Sequence, residues 1–138
     1  MQRPIAEGFA KNGATIVISG RDEAKGDALK KDLKALGAEA TFIRADVRHD
    51  DEVKNLVDET VKKYGRLDVA VNNAGTEGKR SLLTDQTAET YAATFDTNVL
   101  GTIFSLKHEL RVMTAQKSGS IINISSTMGR VGASGASL

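Results

Sequence analysis

The side chains that could do chemistry stand at the ends of apolar runs. The densest group closes the stretch Leu67 to Gly75, reading Leu-Asp-Val-Ala-Val-Asn-Asn-Ala-Gly. Asn72 and Asn73 carry amides that can hold neighbouring strands or accept a ligand's hydrogen bonds. Ala74 and Gly75 are small enough to let a ligand come close to the backbone. Read alone, the same residues also describe a capped strand and a tight turn. Asp46-Val47 follows a second run, Ala40 to Ala45, and Arg21 stands just past a third, Ala14 to Ser19. An isolated Asp in that position is most simply a strand-end turn residue, and an isolated Arg a solvated one. Ser126 follows Ile121 to Ser125 and reads alone as a capping serine. No His or acid stands beside it to suggest a nucleophilic triad, although triad members need not be neighbours in sequence. Ser125 faces the other way by strand alternation. Asn98 is a polar residue inside a long, mostly apolar helical stretch, where its amide competes for backbone groups.

Other candidate chemistry is thinner. His49 and His108 have no metal-like spacing with each other or with carboxylates, and both are expected on helix surfaces. Met113 and Met128 are expected in packing or loops, and the Lys30-Lys31 and Lys62-Lys63 pairs on solvated helix faces. The absence of cysteine excludes disulfides and thiolate metal sites and fits a reducing compartment, hence the cytoplasm. No metal site is expected.

A length of 138 residues allows one domain, residues 1–138, with a real core. The hydrophobic fraction of 40% and charged fraction of 27% are those of an ordinary globular protein. A net charge of +1 gives no large basic field to draw nucleic acid or an anionic membrane. No apolar run has membrane-spanning length, and Met1-Gln2-Arg3-Pro4 has no signal-peptide core behind it.

These residues need elements to position them. Pro4 suits a first helical turn, with Ile5, Ala6, Phe9 and Ala10 marking one face and Gly13 ending the helix. The strand Ala14 to Ser19 follows. Asp22 reads as the N-cap of a helix with a stripe of Ala24, Ala28, Leu29, Leu33 and Leu36, ended by Gly37. After the strand at Ala40 to Ala45, the acids Asp50, Asp51 and Glu52 suit the positive end of a helix dipole. Val53, Leu56, Val57, Val61 and Tyr64 continue at helical spacing to Gly65. Leu67 to Val71 reads as a buried strand of a parallel sheet. A polar loop, Thr76 to Gln86, leads to a long helix from Thr87 to about Gln116, carrying Tyr91, Phe95, Val99, Ile103, Leu106 and Leu110. A last strand covers Ile121 to Ser125, and the tail from Gly129 to Leu138 has no periodicity. Helix and strand alternate throughout, which implies right-handed crossovers and a parallel sheet sandwiched between helices. Ligands of such sheets bind at the carboxyl ends of the strands.

With that order in view, the sequence resembles the short-chain dehydrogenase/reductase family of NAD(P)-dependent oxidoreductases, over essentially its whole length. The resemblance rests on Asp46-Val47, Asn72-Asn73-Ala74-Gly75, Asn98 within Asn-Val-Leu-Gly, and Ile122-Asn123-Ile124-Ser125-Ser126, each at the expected element boundary. It implies an α/β, Rossmann-like, doubly wound parallel sheet in three α/β/α layers. It also implies residue roles. Arg21 stands where NAD-using members present a carboxylate, so a guanidinium suits the 2′-phosphate of NADP, with NAD as the second possibility. Asp46, with the Val47 backbone, would receive the adenine amino group. Asn73, Ala74 and Gly75 would pass along the cofactor ribose. Ser126 would bind the substrate's carbonyl or hydroxyl oxygen, and Asn98 would disturb its helix and hold a water in a proton relay.

The same comparison marks what this sequence does not carry. The family opens with a strand and a glycine-rich turn that cradles the pyrophosphate, and Met1 already falls inside the helix that follows it. The family's catalytic Tyr has a Lys four positions on, yet Tyr64 and Tyr91 are followed by Asp68 and Phe95. The expectation is therefore an incomplete sheet, lacking its first strand, its glycine-rich turn and its C-terminal part. A strand would be missing between Ala14–Ser19 and Leu67–Val71, leaving edges that invite association. Such a chain is expected to be nearly inactive alone and to fold poorly or aggregate.

The substrate implied is a small carbonyl or alcohol, and the parent protein is expected to be a homo-oligomer through the helix at 87–116. A second reading is a non-catalytic nucleotide-binding or oligomerisation module derived from the same fold. A third is an unrelated doubly wound domain such as a signalling receiver, which wants clustered acids at strand ends where only Asp46 stands. Extended relatives such as nucleotide-sugar epimerases are disfavoured by Asn72-Asn73-Ala74-Gly75, the pattern of the shorter group.

Overall fold

A computed structural model describes residues 2–127 and 131. Helix α1, Gln2–Lys11, holds Pro4 in its first turn and buries Ala6 and Ala10. Gly13, at φ 79°, turns the chain in the left-handed region that only glycine enters cheaply. Strand β1, Ile16–Gly20, buries Ile16 and Ile18 at the two-residue period of a strand. Asp22 caps α2, Glu23–Ala35, by accepting the Lys25 backbone N–H at 3.0 Å. Strand β2, Ala40–Arg44, leads to α3, Asp50–Tyr64, which carries three acids in its first turn and two lysines in its last. Strand β3 is Val69–Asn72. A short 3₁₀ turn at Leu83–Asp85 precedes α4, Ala88–Phe95, capped by Thr87 and Thr90 reciprocally. A π turn, Asp96–Leu100, joins α4 to α5, Gly101–Gln116, and β4 is Ser120–Asn123.

The strands form two parallel pairs. β1 runs beside β2 with Gly20 opposite Arg44, and β3 beside β4 with Asn72 opposite Asn123. Among the described residues no ladder joins one pair to the other. The main core lies between α1, α2 and the first pair: Ala6, Ala10, Ile16, Ile18, Leu29, Leu33 and Ala40. Helices α3 and α5 are linked by ion pairs, Asp50 to Lys107 at 2.8 Å and Asp58 to Arg111 at 2.5 Å. Among the described residues no helix is long and apolar enough to cross a membrane.

Several faces differ from the sequence expectation. In α2 the inward residues are Gly26, Leu29 and Leu33, whereas Ala24, Ala28 and Leu36 face out. The ring of Phe42 occupies the place a Gly26 side chain would take, which sets the rotation of the helix. In α5 the inward residues are Gly101, Ser105, His108, Glu109, Val112 and Met113. The apolar stripe of the long helix points outward: Tyr91 is 53% exposed, Val99 46%, Ile103 53% and Leu110 51%. His108, expected on the surface, is only 4% exposed, because its Nε2 meets Asp50 Oδ1 at 2.9 Å across the α3–α5 interface. β3 was expected to be buried, yet only Ala70 is, and Val69 is exposed. β4 stops at Asn123, so Ser125 and Ser126 lie beyond it. Met128 and the tail Gly129 to Leu138, apart from Val131, lie outside the described residues.

Candidate active site

The carboxyl ends of β1 and β2 are held together by the Ala45 N–H, which donates to the Gly20 carbonyl at 3.2 Å. That bond sets Arg21 beside Asp46. The Arg21 guanidinium is exposed, and its Nη1 stands 4.0 Å from Asp46 Oδ2. Asp46 is 6% exposed, and its backbone N–H donates to Glu52 Oε2 at 2.9 Å. The Arg48 guanidinium grips its carboxylate, Nη2 to Oδ2 at 2.6 Å and Nε to Oδ1 at 3.0 Å. Hydrogen bonds from Arg48 outweigh the cost of burial and hold the Asp46 carboxyl down at about 2. Asp46 is therefore ionised at any physiological pH.

At the end of β3 the two adjacent asparagines divide the work. Asn72 holds strands together: its Nδ2 donates to Asn123 Oδ1 at 2.9 Å and to Glu109 Oε2 at 3.0 Å. Asn73 is half-buried, and its Oδ1 is buried without a hydrogen-bond partner among the described residues. A buried amide oxygen in that state costs about 1–3 kcal/mol, so the position favours any donor that can reach it. Ala74 and Gly75 follow, both exposed.

One turn of the long helix gathers these loops. The Asn98 side chain clasps Thr76, accepting its N–H and donating to its carbonyl, each at 2.8 Å. A Cβ on Gly75 would sit 3.4 Å from Asn98 Oδ1, so the loop runs close against the π turn. Three residues on, Gly101 receives the Val47 side chain, and a Cβ there would lie 2.6 Å from Val47 Cγ2. Residues three apart share a helix face, so the loops after β2 and β3 meet on adjacent positions of one helix. Val47 thus spends its side chain on packing and leaves its backbone to the loop. Asn98 is exposed but not idle, and the helix is disturbed where it stands. Ser126 is exposed past β4, on the same end of the β3–β4 pair as Asn73.

Arg48, Thr76 and Glu109 belong to this region and were missed in the sequence. Arg48 had a signal, a cation two positions beyond a strand-end carboxylate. Thr76 and Glu109 had none, since their partners lie 22 and 37 positions away.

Comparison with known proteins shows the family. The family description "short chain dehydrogenase" matches residues 2–138, and the chain belongs to the short-chain dehydrogenase family. It is 34% identical over 131 residues to the 3-oxoacyl-[acyl-carrier-protein] reductase FabG of Chlamydia pneumoniae, covering 95% of this chain and 52% of FabG. Among solved structures it is similar to an F189W actinorhodin polyketide ketoreductase with NADPH, with TM-score 0.92, 32% identity, 97% of this chain and 52% of that one. It is also similar to a xylitol dehydrogenase bound to NAD⁺, with TM-score 0.94, 27% identity and the same 97% and 52% coverage. The chain spans about half the length of the curated relatives it matches, as the FabG coverage of 52% illustrates. The fold is the Rossmann-like α/β fold of this family, represented by its parallel strand pairs and the helices around them.

Proposed function

We propose that the strand ends after β1, β2 and β3 line a nicotinamide-dinucleotide cleft. In this reading the chain acts within an NAD(P)-dependent oxidoreductase that moves a hydride between the cofactor and a carbonyl or alcohol carbon of a small substrate. The observation that carries the reading is the meeting of the Asp46–Val47 and Asn73–Thr76 loops on the Asn98–Gly101 turn. The residues present suit such a group. Arg21 is an exposed guanidinium that fits a 2′-phosphate and favours NADP, with NAD second. The Asp46 carboxylate, with the Val47 backbone, faces the adenine amino group. The partnerless Asn73 Oδ1 accepts from a donor arriving along Asn73, Ala74 and Gly75, such as a ribose hydroxyl.

The cofactor, when bound, supplies the redox chemistry. Ser126 holds the substrate oxygen. Asn98 acts through its loop: with its amide spent on Thr76, it fixes the Gly75–Thr76 backbone and marks the turn where a proton relay would pass. The sequence offers no tyrosine with a lysine four positions on. A general acid or base contributes about 10²–10⁴-fold. Residues 1–138 by themselves are accordingly proposed to bind nucleotide and to turn over slowly. The outward stripe of Tyr91, Val99, Ile103 and Leu110, with the half-buried Phe95 stacked on Tyr91, supports a homo-oligomer formed through α4 and α5. A cysteine-free sequence accords with the cytoplasm.

Titration of the chain with NADPH and NADH, followed by nicotinamide fluorescence, tests the reading. NADPH should bind more tightly, and Arg21→Ala should weaken NADPH and narrow its advantage over NADH. Equal binding of both by the unaltered chain, or indifference to Arg21→Ala, contradicts it.

A further inference from the structure

The Asp46 carboxylate has no acceptor position to spare. Oδ1 takes the Arg48 backbone N–H at 3.1 Å and Arg48 Nε at 3.0 Å. Oδ2 takes the same Nε at 3.1 Å and Nη2 at 2.6 Å. A carboxylate offers about four lone-pair sites, and three N–H groups of one residue, with Nε shared between both oxygens, occupy them here. The function proposed above gives that carboxylate to an adenine amino group, and the present inference rests on that reading. Adenine and Arg48 then compete for the same oxygens. A guanidinium released from a carboxylate needs another anion close by, or its pairing is lost. Asp96 attracts Arg48 only at longer range. The anion that both Arg21 and a released Arg48 could share is a phosphate on the adenosine ribose, since the two guanidiniums already converge on Asp46 Oδ2.

We propose that Arg48 is a specificity-determining residue that exchanges Asp46 for the 2′-phosphate when a 2′-phosphorylated adenosine binds, and that otherwise holds Asp46 closed against adenine. Arg21 and Arg48 then act differently on the unphosphorylated ligand. Arg21 is merely idle toward it, whereas Arg48 opposes it. The exposure of the Arg48 side chain, 38%, leaves it room to swing. Its planar fork matches both a carboxylate and a phosphate.

The test compares adenosine 2′,5′-bisphosphate with adenosine 5′-monophosphate, a pair differing only in the 2′-phosphate, by calorimetry on the full chain. Circular dichroism checks that each variant keeps its helices. Arg48→Gln should bind the bisphosphate more weakly and the monophosphate more tightly, cutting the preference by about tenfold or more, the value of one charge-assisted bond. Arg48→Lys keeps the cation and loses the fork, and should keep most of the preference while admitting the monophosphate more readily. If Arg21→Ala abolishes the preference but Arg48→Gln leaves the ratio unchanged, or weakens both ligands equally, the exchange is wrong and the nucleotide reading stands. A folded unaltered chain that binds neither probe overturns both.

Discussion

At the scale of single residues, Glu109 is the side chain most out of keeping with its surroundings. It is 7% exposed on the packed face of α5, and Asn72 Nδ2 is the neighbour that donates to it. Burial raises its pKa above the ordinary carboxylate value, and the Asn72 bond only partly opposes that. A raised carboxyl pKa means that the folded chain holds its proton longer than the unfolded one. Stability is then complete below pH 4.5 and falls as pH rises through the higher folded value. Glu109→Gln keeps an acceptor for Asn72 and removes the charge. Its urea midpoint should match the unaltered chain at pH 4 and exceed it at pH 7.5. A midpoint that is lower at pH 7.5 would show that the ionised carboxylate stabilises the fold. The sequence could show that Asn72 and Asn73 close a strand, because strand period and turn composition are local. It could not show that one asparagine is consumed by Glu109 and Asn123 while its neighbour keeps an orphaned oxygen. That division depends on a strand and a helix far along the chain.

At the scale of elements, the α4–α5 rod does two jobs on two faces. Inward, besides Val112 and Met113, it presents small and polar residues: Gly101 against Val47, His108 against Asp50 and Glu109 against Asn72. Outward it presents the apolar stripe. Gly101 tests whether close packing sets the loop after β2. Alanine is favoured over glycine inside a helix by roughly 0.5–1 kcal/mol. Overpacking costs roughly 1–3 kcal/mol, and here a Cβ would lie 2.6 Å from Val47 Cγ2 and 3.3 Å from the Val47 carbonyl oxygen. The steric cost wins, and Gly101→Ala should destabilise the chain by about 1 kcal/mol. Adding Val47→Ala should recover part of that loss in a double-mutant cycle read by denaturant unfolding. Strict additivity of the two substitutions would contradict the contact. Helix starts and stops were legible, since Asp22, Thr87 and Gly65 act on their own neighbours. The inward face of the rod was not, because its polar side chains find partners on α3 and β3, far away in sequence.

At the scale of the whole molecule, α1 and α2 pack on the first parallel strand pair and α5 on the second, and no ladder links the pairs among the described residues. Among the described residues, Leu33 and Val53 are the largest side chains buried almost completely. A core this small leaves much of the apolar surface, including the α4–α5 stripe, to be covered by association. Ile103→Glu, which places a charge in the middle of that stripe, should shift the chain toward monomer in light scattering at matched concentration. An unchanged mass would remove the stripe from the interface.

The central claim is that the loops after β1, β2 and β3 line a single nucleotide cleft. Amide chemical-shift mapping of the ¹⁵N-labelled chain on titration with NADP⁺ tests it most directly. The account predicts that Arg21, Asp46 to Arg48 and Asn73 to Thr76 move together along one binding curve, with α1 and the outward face of α5 unaffected. Shifts confined to the α5 stripe, or separate curves for the loops after β2 and β3, would contradict it.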